Sequence, residues 1–306
     1  MTDGMLAPGG AAGRGGLIAA ANAEAIEAWN GVLFDRFVRY RDIVTTGLAA
    51  HGDRGLDLHR PRSGDRALDL GCGFGDTTRR LAELVGPEGE AVGIDAAARF
   101  IDVARRESAA AGLANVSFLV ADVQACVLGG GFDYAFSRFG TMFFTNPVVA
   151  LRNVRRALAP CGRLCMVVWR RKLDNEWLHR GERVVERFLT RPGATDEPTC
   201  GPGPFSMASA DTTTDILLRA GFEGISLHRC DTSIEIGADL ESAVEFVMAL
   251  GPAGELIRLA GTHALELRST IVAALNEALA EFREPNGSAI RAPASSWIVG
   301  ARAPDA

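Results

Sequence analysis

The residues with the clearest chemical spacing are three alternating glycines, Gly71, Gly73 and Gly75, which follow an apolar run containing Asp69. The stretch reads RALDLGCGFGDTTRRLAELVG, residues 66–86. Glycines leave backbone N–H groups accessible at the start of the next helix, where the helix dipole favours negative charge. The G-x-G-x-G spacing differs from the G-x-G-x-x-G of dinucleotide sites, and a tight turn without a ligand is the alternative. The pattern predicts a turn that holds an anionic or polar ligand.

Two further carboxylates end neighbouring predicted strands. Asp95 ends the stretch GEAVGID, and Asp122 ends VSFLVAD. A carboxylate in the position of Asp95 can accept hydrogen bonds from both hydroxyls of a ribose, and ligands of open α/β sheets bind at the carboxyl edge. A cap on the next helix is the alternative role for Asp95. We therefore expect the carboxylates at the edge of the sheet where the glycine turn lies.

Strand and helix patterns alternate along the chain, which predicts a parallel sheet. A helical pattern over residues 21–50 precedes the first strand, and a further helix is expected over 174–190. The Pro- and Gly-rich segment TRPGATDEPTCGPGPF, residues 190–205, is a lid candidate. A helical stretch over 238–282, interrupted at GPAG, separates the sixth strand from the last strand, SSWIVGAR. Residues 1–20, rich in Gly and Ala, are interpreted as a flexible tail.

Together these residues resemble the class I S-adenosylmethionine-dependent methyltransferases. LDLGCGFG at 68–75 is similar to the first motif of that family, VGID at 92–95 to the acidic end of its second strand, and AD at 121–122 to the end of the third. The resemblance implies S-adenosylmethionine as cofactor. It places Gly71 and Gly73 at the methionine end, Asp69 at the ammonium group, Asp95 at the ribose and Asp122 at the adenine amino group. The full set expected to bind the cofactor is Trp29, Asp69, Gly71, Cys72, Gly73, Asp95, Ala96, Asp122, Val123 and Ser137.

Longer stretches narrow the resemblance to a bacterial small-molecule branch, of type 11 or type 25. The stretches that resemble this branch are AWNG, FDYAFSRFGTMFFTNPVVALRNVRRALAPCGRL, NEW, GPF and SSWIVGAR. The implied fold is α/β: a Rossmann-like, seven-stranded, mostly parallel sheet with an antiparallel last strand, in a three-layer αβα arrangement. One methyltransferase domain would span residues 21–306, with helical cap insertions at about 174–205 and 238–284. The chain departs from the pattern at Cys161, where the family usually has a glycine; we expect this to affect the turn rather than the chemistry.

The acceptor should lie where the fourth strand ends, under the cap. The candidate pocket residues are Arg138, Phe139, Met142, Phe143, Trp177 and Phe205. For the aromatic and Met residues, packing in the core is the alternative. Arg138, beside an apolar strand end, needs a partner; it could order the helix before the first strand or meet a carboxylate. His179 is the histidine best placed to act as a general base, with a packing or surface role as its alternative.

Composition limits the partners. The formal charge is −6 and the pI about 5.5, with both signs scattered, which argues against nucleic acid or a membrane surface and favours a small-molecule substrate. The six cysteines form no CxxC pair and no zinc spacing, so we expect thiols in a reducing cytoplasm and no metal. Alanine-rich helix surfaces leave a homodimer possible.

The resulting hypothesis is an enzyme that transfers a methyl group from S-adenosylmethionine to an oxygen, nitrogen or carbon of a small molecule. In-line displacement at a carbon activated by a sulfonium needs alignment and exclusion of water rather than a nucleophilic triad. Two alternatives remain open at this point. One is a non-catalytic protein that binds S-adenosylmethionine in a regulatory role, and the other is an NAD-dependent oxidoreductase, against which the glycine spacing argues.

Overall fold

The computed structural model describes residues 15–190, 203–285 and 287–305. Most of the predicted tail, residues 1–14, and most of the lid candidate, residues 191–202, lie outside the described residues. A helix is already present at Gly15, inside the segment that the composition assigned to the tail.

A single sheet of seven strands organises the chain, in the order β3-β2-β1-β4-β5-β7-β6. The first five strands pair in parallel, and β7 pairs antiparallel with both β5 and β6. The predicted mostly parallel sheet with an antiparallel last strand is therefore confirmed. The strands are β1 (Arg66–Leu70), β2 (Glu90–Asp95), β3 (Val116–Val120), β4 (Phe132–Arg138), β5 (Leu158–Trp169), β6 (Glu223–Gly237) and β7 (Ile290–Arg302).

Helices cover both faces of the sheet. Tyr134 and Phe136 of β4 pack in one apolar cluster with α3 and α4, whereas the intervening Ala135 packs in a second cluster with α6 and α8, as the alternation of side chains along a strand requires. This gives the predicted three layers. The helices are α1 (Gly15–Asn30), α2 (Val32–Arg39), α3 (Ala49–Leu58), α4 (Asp76–Val85), α5 (Ala98–Ala110), α6 (Pro147–Ala157), α7 (Glu176–Val185), α8 (Ala210–Ala220), α9 (Leu240–Ala249), α10 (Gly251–Ala260), α11 (Thr262–Glu266) and α12 (Arg268–Leu279).

The predicted helix over residues 21–50 is divided into several pieces. Gly31 ends α1 with φ −106° and ψ −114°, outside the helical region, so that α2 starts in a new direction. A π-helical turn, Ile43–Gly47, then leads into α3. The periodicity of apolar residues passes through these breaks, which is why the sequence pattern reads as one helix.

Helices α9 to α12 fill the segment between β6 and β7, and α7 packs against α10 and α12. The break between α9 and α10 falls at Leu250 and Gly251, where the GPAG signal predicted an interruption. Residues of α7, α9 and α10 line the cavity at the carboxyl edge of the sheet, and we call α7 and α9 to α12 the cap helices. Among the described residues, no helix combines the length and apolar character needed to cross a membrane, and no cluster of His, Cys, Asp or Glu could hold a metal ion.

The turn before the central part of β5 has a strained residue. Cys161 has φ +58°, in the left-handed region that glycine adopts far more readily than any residue with a side chain. The sequence departure from the family pattern thus lies at a position where the backbone favours glycine.

Candidate active site

A cavity of about 720 Å³ opens at the carboxyl edge of the sheet. Its floor consists of the ends of β1, β2 and β4 and the loop after β3, and its walls come from α1, α2, α7, α9 and α10. The three predicted carboxylates and the glycine turn line one side. The other side is lined mainly by aromatic residues from the strand ends and the cap. We call these the polar side and the aromatic side of the cavity.

The glycine turn after β1 has a left-handed backbone at all three positions, with φ +64° at Gly71, +52° at Gly73 and +74° at Gly75. Gly71 and Gly73 line the cavity. Gly75 instead packs away from the cavity, since a Cβ there would come within 2.8 Å of Ala104 and Phe118. The first two glycines therefore shape the site, and the third allows α4 to approach its neighbours.

Asp69 lies beneath this turn with 1% of its surface exposed. Its Oδ2 accepts a 2.7 Å hydrogen bond from Oγ1 of Thr78, and its Oδ1 accepts none from the described residues. Burial raises the pKa of Asp69 to about 7, although the Thr78 hydrogen bond opposes the shift. A cation that entered the cavity beside Asp69 would stabilise its charged form.

Asp95 connects the end of β2 to the glycine turn. Its Oδ2 accepts from the backbone N–H of Gly73 at 3.0 Å, and its Oδ1 accepts from that of Ala97 at 2.9 Å. Burial raises the pKa of Asp95, while these backbone hydrogen bonds lower it. Each carboxylate oxygen has a second lone pair, so Asp95 orders the loop and can still accept hydrogen bonds from a ligand. The helix-capping and ligand-binding roles are compatible.

Asp122, the third carboxylate, is held by Asn22 and Gln124. Its Oδ2 accepts a 3.0 Å hydrogen bond from Nδ2 of Asn22 on α1, and its Oδ1 accepts from the backbone N–H of Gln124 at 2.9 Å. Oγ1 of Thr145 donates to Oδ1 of Asn22 at 3.0 Å. Asn22 lines the cavity, although nothing in its local sequence distinguishes it from other polar residues of an amphipathic helix.

Arg138, at the end of β4, fulfils both predicted alternatives. Its Nη2 donates to Oδ2 of Asp76, the first residue of α4, at 2.6 Å, and its Nη1 donates to the carbonyl oxygen of Thr45 at 3.4 Å. The first contact pairs it with a carboxylate, and the second orders the π-helical turn before α3. Its charge also acts on Asp69 and lowers the pKa of that carboxyl. Arg138 thus lies at the polar side of the cavity.

The aromatic side is built around Phe139 and Trp169, whose rings stack at 3.8 Å with an angle of 16° between planes. Phe139 adopts φ +59°, a strained conformation for a residue with a side chain, of the kind that clusters at functional sites. Trp29 from α1 meets Phe143 edge-on at 5.0 Å. The aromatic residues that line the cavity are Trp29, Phe37, Phe74, Phe100, Phe139, Phe143, Phe144, Trp169, Trp177, Phe205 and Phe246.

Four charged residues on the cap side of the cavity were not predicted. Nζ of Lys172 contacts both oxygens of the buried Glu182, at 2.8 and 2.7 Å. Arg36 on α2 and Glu255 on α10 lie on another wall. Each comes from an element whose position depends on how the cap packs, so no local motif could have identified them.

Most of the predicted site residues line this one cavity. They are Trp29, Asp69, Gly71, Cys72, Gly73, Asp95, Ala96, Asp122, Val123, Arg138, Phe139, Met142, Phe143, Trp177 and Phe205.

Ser137 and His179 do not line the cavity. Ser137 is fully buried and its Oγ donates to the carbonyl oxygen of Leu70 at 2.8 Å, so it braces the glycine turn from behind. His179 lies on α7, but the residues of that helix that line the cavity are Trp177, Leu178 and Glu182. His179 is therefore not placed to act as a general base on a ligand in this cavity.

Comparison with known proteins gives a family match in the middle of the chain. Residues 61–188 match a family described as a methyltransferase domain. The ubiquinone/menaquinone biosynthesis C-methyltransferase UbiE of Pseudomonas aeruginosa is 36% identical over 122 residues, which cover 39% of this chain and 48% of that protein. The aklanonic acid methyltransferase DauC of a Streptomyces species is 35% identical over 114 residues, covering 37% of this chain and 52% of that protein. The chain thus spans about half the length of these curated relatives.

Two solved structures share the fold over most of the chain. The YcgJ protein of Bacillus subtilis superposes with a TM-score of 0.54 and 18% identity, covering 84% of this chain and 99% of that one. The BH2331 protein of Bacillus halodurans gives a TM-score of 0.52 and 16% identity, covering 82% and 98%. At these identities the similarity establishes the Rossmann-like architecture alone.

Proposed function

We propose that this protein, whose residues 61–188 match a family described as a methyltransferase domain, is a class I S-adenosylmethionine-dependent methyltransferase that transfers a methyl group from that cofactor to a small-molecule acceptor. The observation that carries the proposal is the single cavity that joins the polar side, with its glycine turn and three carboxylates, to the aromatic side under the cap. A site for the cofactor alone would not need the aromatic side. The names of the two relatives, which refer to ubiquinone, menaquinone and aklanonic acid, support a small-molecule acceptor.

The residues of the polar side fit S-adenosylmethionine. Gly71 and Gly73 leave room for the methionine end, and Asp69 has one oxygen without a partner among the described residues to receive the ammonium group. Asp95 would accept hydrogen bonds from the ribose hydroxyls, and Asp122 one from the adenine amino group. Ala96, Val123 and Trp29 would border the rings. These roles are supported by the order of the residues along the edge of the sheet.

The cofactor, when bound, supplies an electrophilic methyl group whose bond to sulfur breaks, with the electron pair left on sulfur, as the bond to the acceptor forms. The chain's own contribution is to align the acceptor and to exclude water from the line of transfer. The aromatic side suits both tasks because its walls are apolar and rigid. Among the described residues that line the cavity there is no histidine, and Glu182 and Glu255 are both ion-paired. We therefore propose alignment as the main catalytic contribution, with the acceptor proton released to solvent or to a group on the acceptor.

Calorimetric titration with S-adenosylmethionine, S-adenosylhomocysteine and NAD tests the cofactor first. We expect the two sulfur nucleotides to bind and NAD not to bind. Asp95→Ala should weaken binding by about 1.5 to 3 kcal/mol, the value of charge-assisted hydrogen bonds. Asp102→Ala, at an exposed position on α5, is the matched control. NAD binding without either sulfur nucleotide would reverse the assignment.

Turnover is the second test. Formation of S-adenosylhomocysteine, followed by mass spectrometry across a panel of small phenols, amines, acids and activated carbons, would establish an enzyme. Tight cofactor binding without turnover of any panel member would favour the regulatory alternative.

We further propose a cytoplasmic role in small-molecule metabolism without nucleic acid as substrate, supported by the net charge of −6 and by free thiols at the five described cysteines. A homodimer is open to measurement by light scattering.

A further inference from the structure

Arg36 is a cation on the wall of the cavity without an ionic partner. It lies on α2, half-buried, and lines the cavity beside Leu33 and Phe37. Its guanidinium forms no hydrogen bond or ion pair with any described residue. Two arginines that follow it are paired: Arg39 with Glu245 at 2.6 Å and Arg41 with Glu107 at 2.5 Å.

Glu255, the carboxylate whose charge acts most on Arg36, is paired with another arginine. Nε and Nη2 of Arg258 donate to the two oxygens of Glu255, each at 2.8 Å. Burial lowers the pKa of Arg36, and the charge of Glu255 only partly offsets that effect. A partly buried guanidinium loses hydration at a free-energy cost, and a bound anion can compensate for that cost. The planar fork of donors of an arginine matches a carboxylate in two parallel hydrogen bonds.

The charges of the cap lie closer to Arg36 than those of the polar side do. Its charged neighbours, Glu255 and Arg258, belong to α10 of the cap. The arginine at the polar side is Arg138, which lies beside Asp76 and acts on Asp69. We therefore assign a ligand group that meets Arg36 to the acceptor, and the cofactor's own carboxylate is the alternative that the experiment must separate.

We propose that Arg36 binds a carboxylate of the methyl acceptor, and that the acceptor is an aromatic acid whose rings lie against the walls of the aromatic side. The inference rests on the proposed function, because it concerns the acceptor of that same reaction. The negative charge of Glu255 nearby favours a monoanion over a phosphate dianion. The carboxylate serves as a recognition group and not as the methylated atom, since pairing with a guanidinium makes its oxygens poorer nucleophiles.

Binding of matched probes to the full chain saturated with S-adenosylhomocysteine tests the proposal. The probes are naphthalene-2-carboxylate, naphthalene-2-carboxamide and 2-naphthyl phosphate, which share one ring system and differ in charge. The variants are Arg36→Gln, Arg36→Lys and, as a matched control on the same helix, Arg39→Gln. Arg39 is 63% exposed and lies outside the residues that line the cavity. Thermal melting confirms that each variant is folded.

We expect the wild type to bind the carboxylate at least about tenfold more tightly than the carboxamide, the size of effect that a charge-assisted pair gives. Arg36→Gln should abolish this preference and leave carboxamide binding within about twofold, since only the charged contact is lost. Arg36→Lys should retain part of it, because charge is kept and the fork is lost. Arg39→Gln should behave as the wild type.

Several results would overturn the inference. The carboxylate could fail to bind or show no preference over the carboxamide, the preference could survive in Arg36→Gln, or the phosphate could bind more tightly than the carboxylate.

A separate experiment compares the binding of S-adenosylhomocysteine with that of 5′-methylthioadenosine, which lacks the amino acid. If Arg36→Gln weakens only the former, Arg36 binds the cofactor's carboxylate instead. Failure of the wild type to bind S-adenosylhomocysteine at all would overturn the proposed function, and so is distinguishable from failure of this inference.

Discussion

The side-chain amide of Asn22 donates a 3.0 Å hydrogen bond to Oδ2 of Asp122, joining the first helix to the loop after the third strand across 100 residues of sequence. Thr145 donates to the same Asn22 side chain from a third element. Asn22 is 7% exposed, so this bridge lies under α1 and closes the cavity at the end assigned to the adenine. Release of a cofactor from that end requires α1 to move.

Asn22→Ala should therefore accelerate cofactor release. Loss of a hydrogen bond to a carboxylate costs about 1.5 kcal/mol or more, which corresponds to roughly a tenfold faster dissociation. Stopped-flow displacement of S-adenosylhomocysteine measures the rate. The control is Asn276→Ala on α12, whose amide donates only to the carbonyl oxygen of Val272. Equal release rates in Asn22→Ala and the wild type would show that α1 does not restrain the cofactor.

The raised pKa of Asp69 predicts that cofactor affinity depends on pH. Because burial raises this pKa to about 7, the carboxyl is protonated below pH 7 and must lose its proton to pair with an ammonium group. We expect the affinity for S-adenosylhomocysteine to rise by up to about tenfold per pH unit towards pH 7 and then to level off. Asp69→Asn should bind weakly with no such slope. A slope of equal size in Asp69→Asn would assign the titration to another group.

The same group has the opposite effect on the stability of the protein without cofactor. Its folded pKa lies above its ordinary value of 3.8, so its contribution is fully present below that value and is lost as pH rises through about 7. The free energy of unfolding of Asp69→Asn, measured by denaturant titration, should therefore fall less than that of the wild type between pH 4 and 7. Parallel curves would contradict the assignment.

His51 should limit stability in acid. It is fully buried on α3, bonded to Oγ of Ser296 at 2.8 Å, and burial lowers its pKa from 6.5 to about 4. Between these values the unfolded chain binds a proton that the folded chain does not, so stability falls as pH drops through this window, by up to about 3 kcal/mol. Denaturant unfolding of His51→Gln should show a shallower loss between pH 6.5 and 4. If His51→Gln loses as much stability as the wild type between pH 6.5 and 4, other groups dominate the acid dependence.

Replacing Cys161 by glycine should stabilise the fold. The left-handed backbone there, φ +58°, costs a residue with a side chain about 1 to 2 kcal/mol, of which glycine's larger loss of chain entropy cancels a part. We expect Cys161→Gly to raise the free energy of unfolding by up to about 1 kcal/mol. Cys161→Ala removes the thiol and keeps the strain, so it should not stabilise. If both variants change stability equally, the thiol and not the backbone is responsible.

The grouping of residues on the polar side of the cavity was predictable because these residues are local in sequence. Asp69 is the second-last residue of β1, Asp95 ends β2 and Asp122 lies two residues after β3. Parallel strands bring such positions to one edge of the sheet whatever the rest of the chain does. Arg36 and Glu255 were not predictable, since their meeting depends on how α2 and α10 pack. The position of His179 could not be predicted from the sequence, because predicting the helix does not tell which of its side chains face the cavity. One residue along a helix turns a side chain by about 100°, so that Leu178 and Glu182 line the cavity and His179 does not.

The insertion of β7 between β5 and β6 also orders the assembly of the molecule during synthesis. When β6 leaves the ribosome, the strand that it pairs with among the described residues, β7, has not yet been made, because β7 lies more than fifty residues downstream, beyond the cap helices. The half with the glycine turn can form from contacts already made, whereas the cap and the two final strands must join together, late, through contacts distant in sequence. We therefore expect the part of the nascent chain with the glycine turn to fold first, and the helices that wall the other side of the cavity to pack on it afterwards.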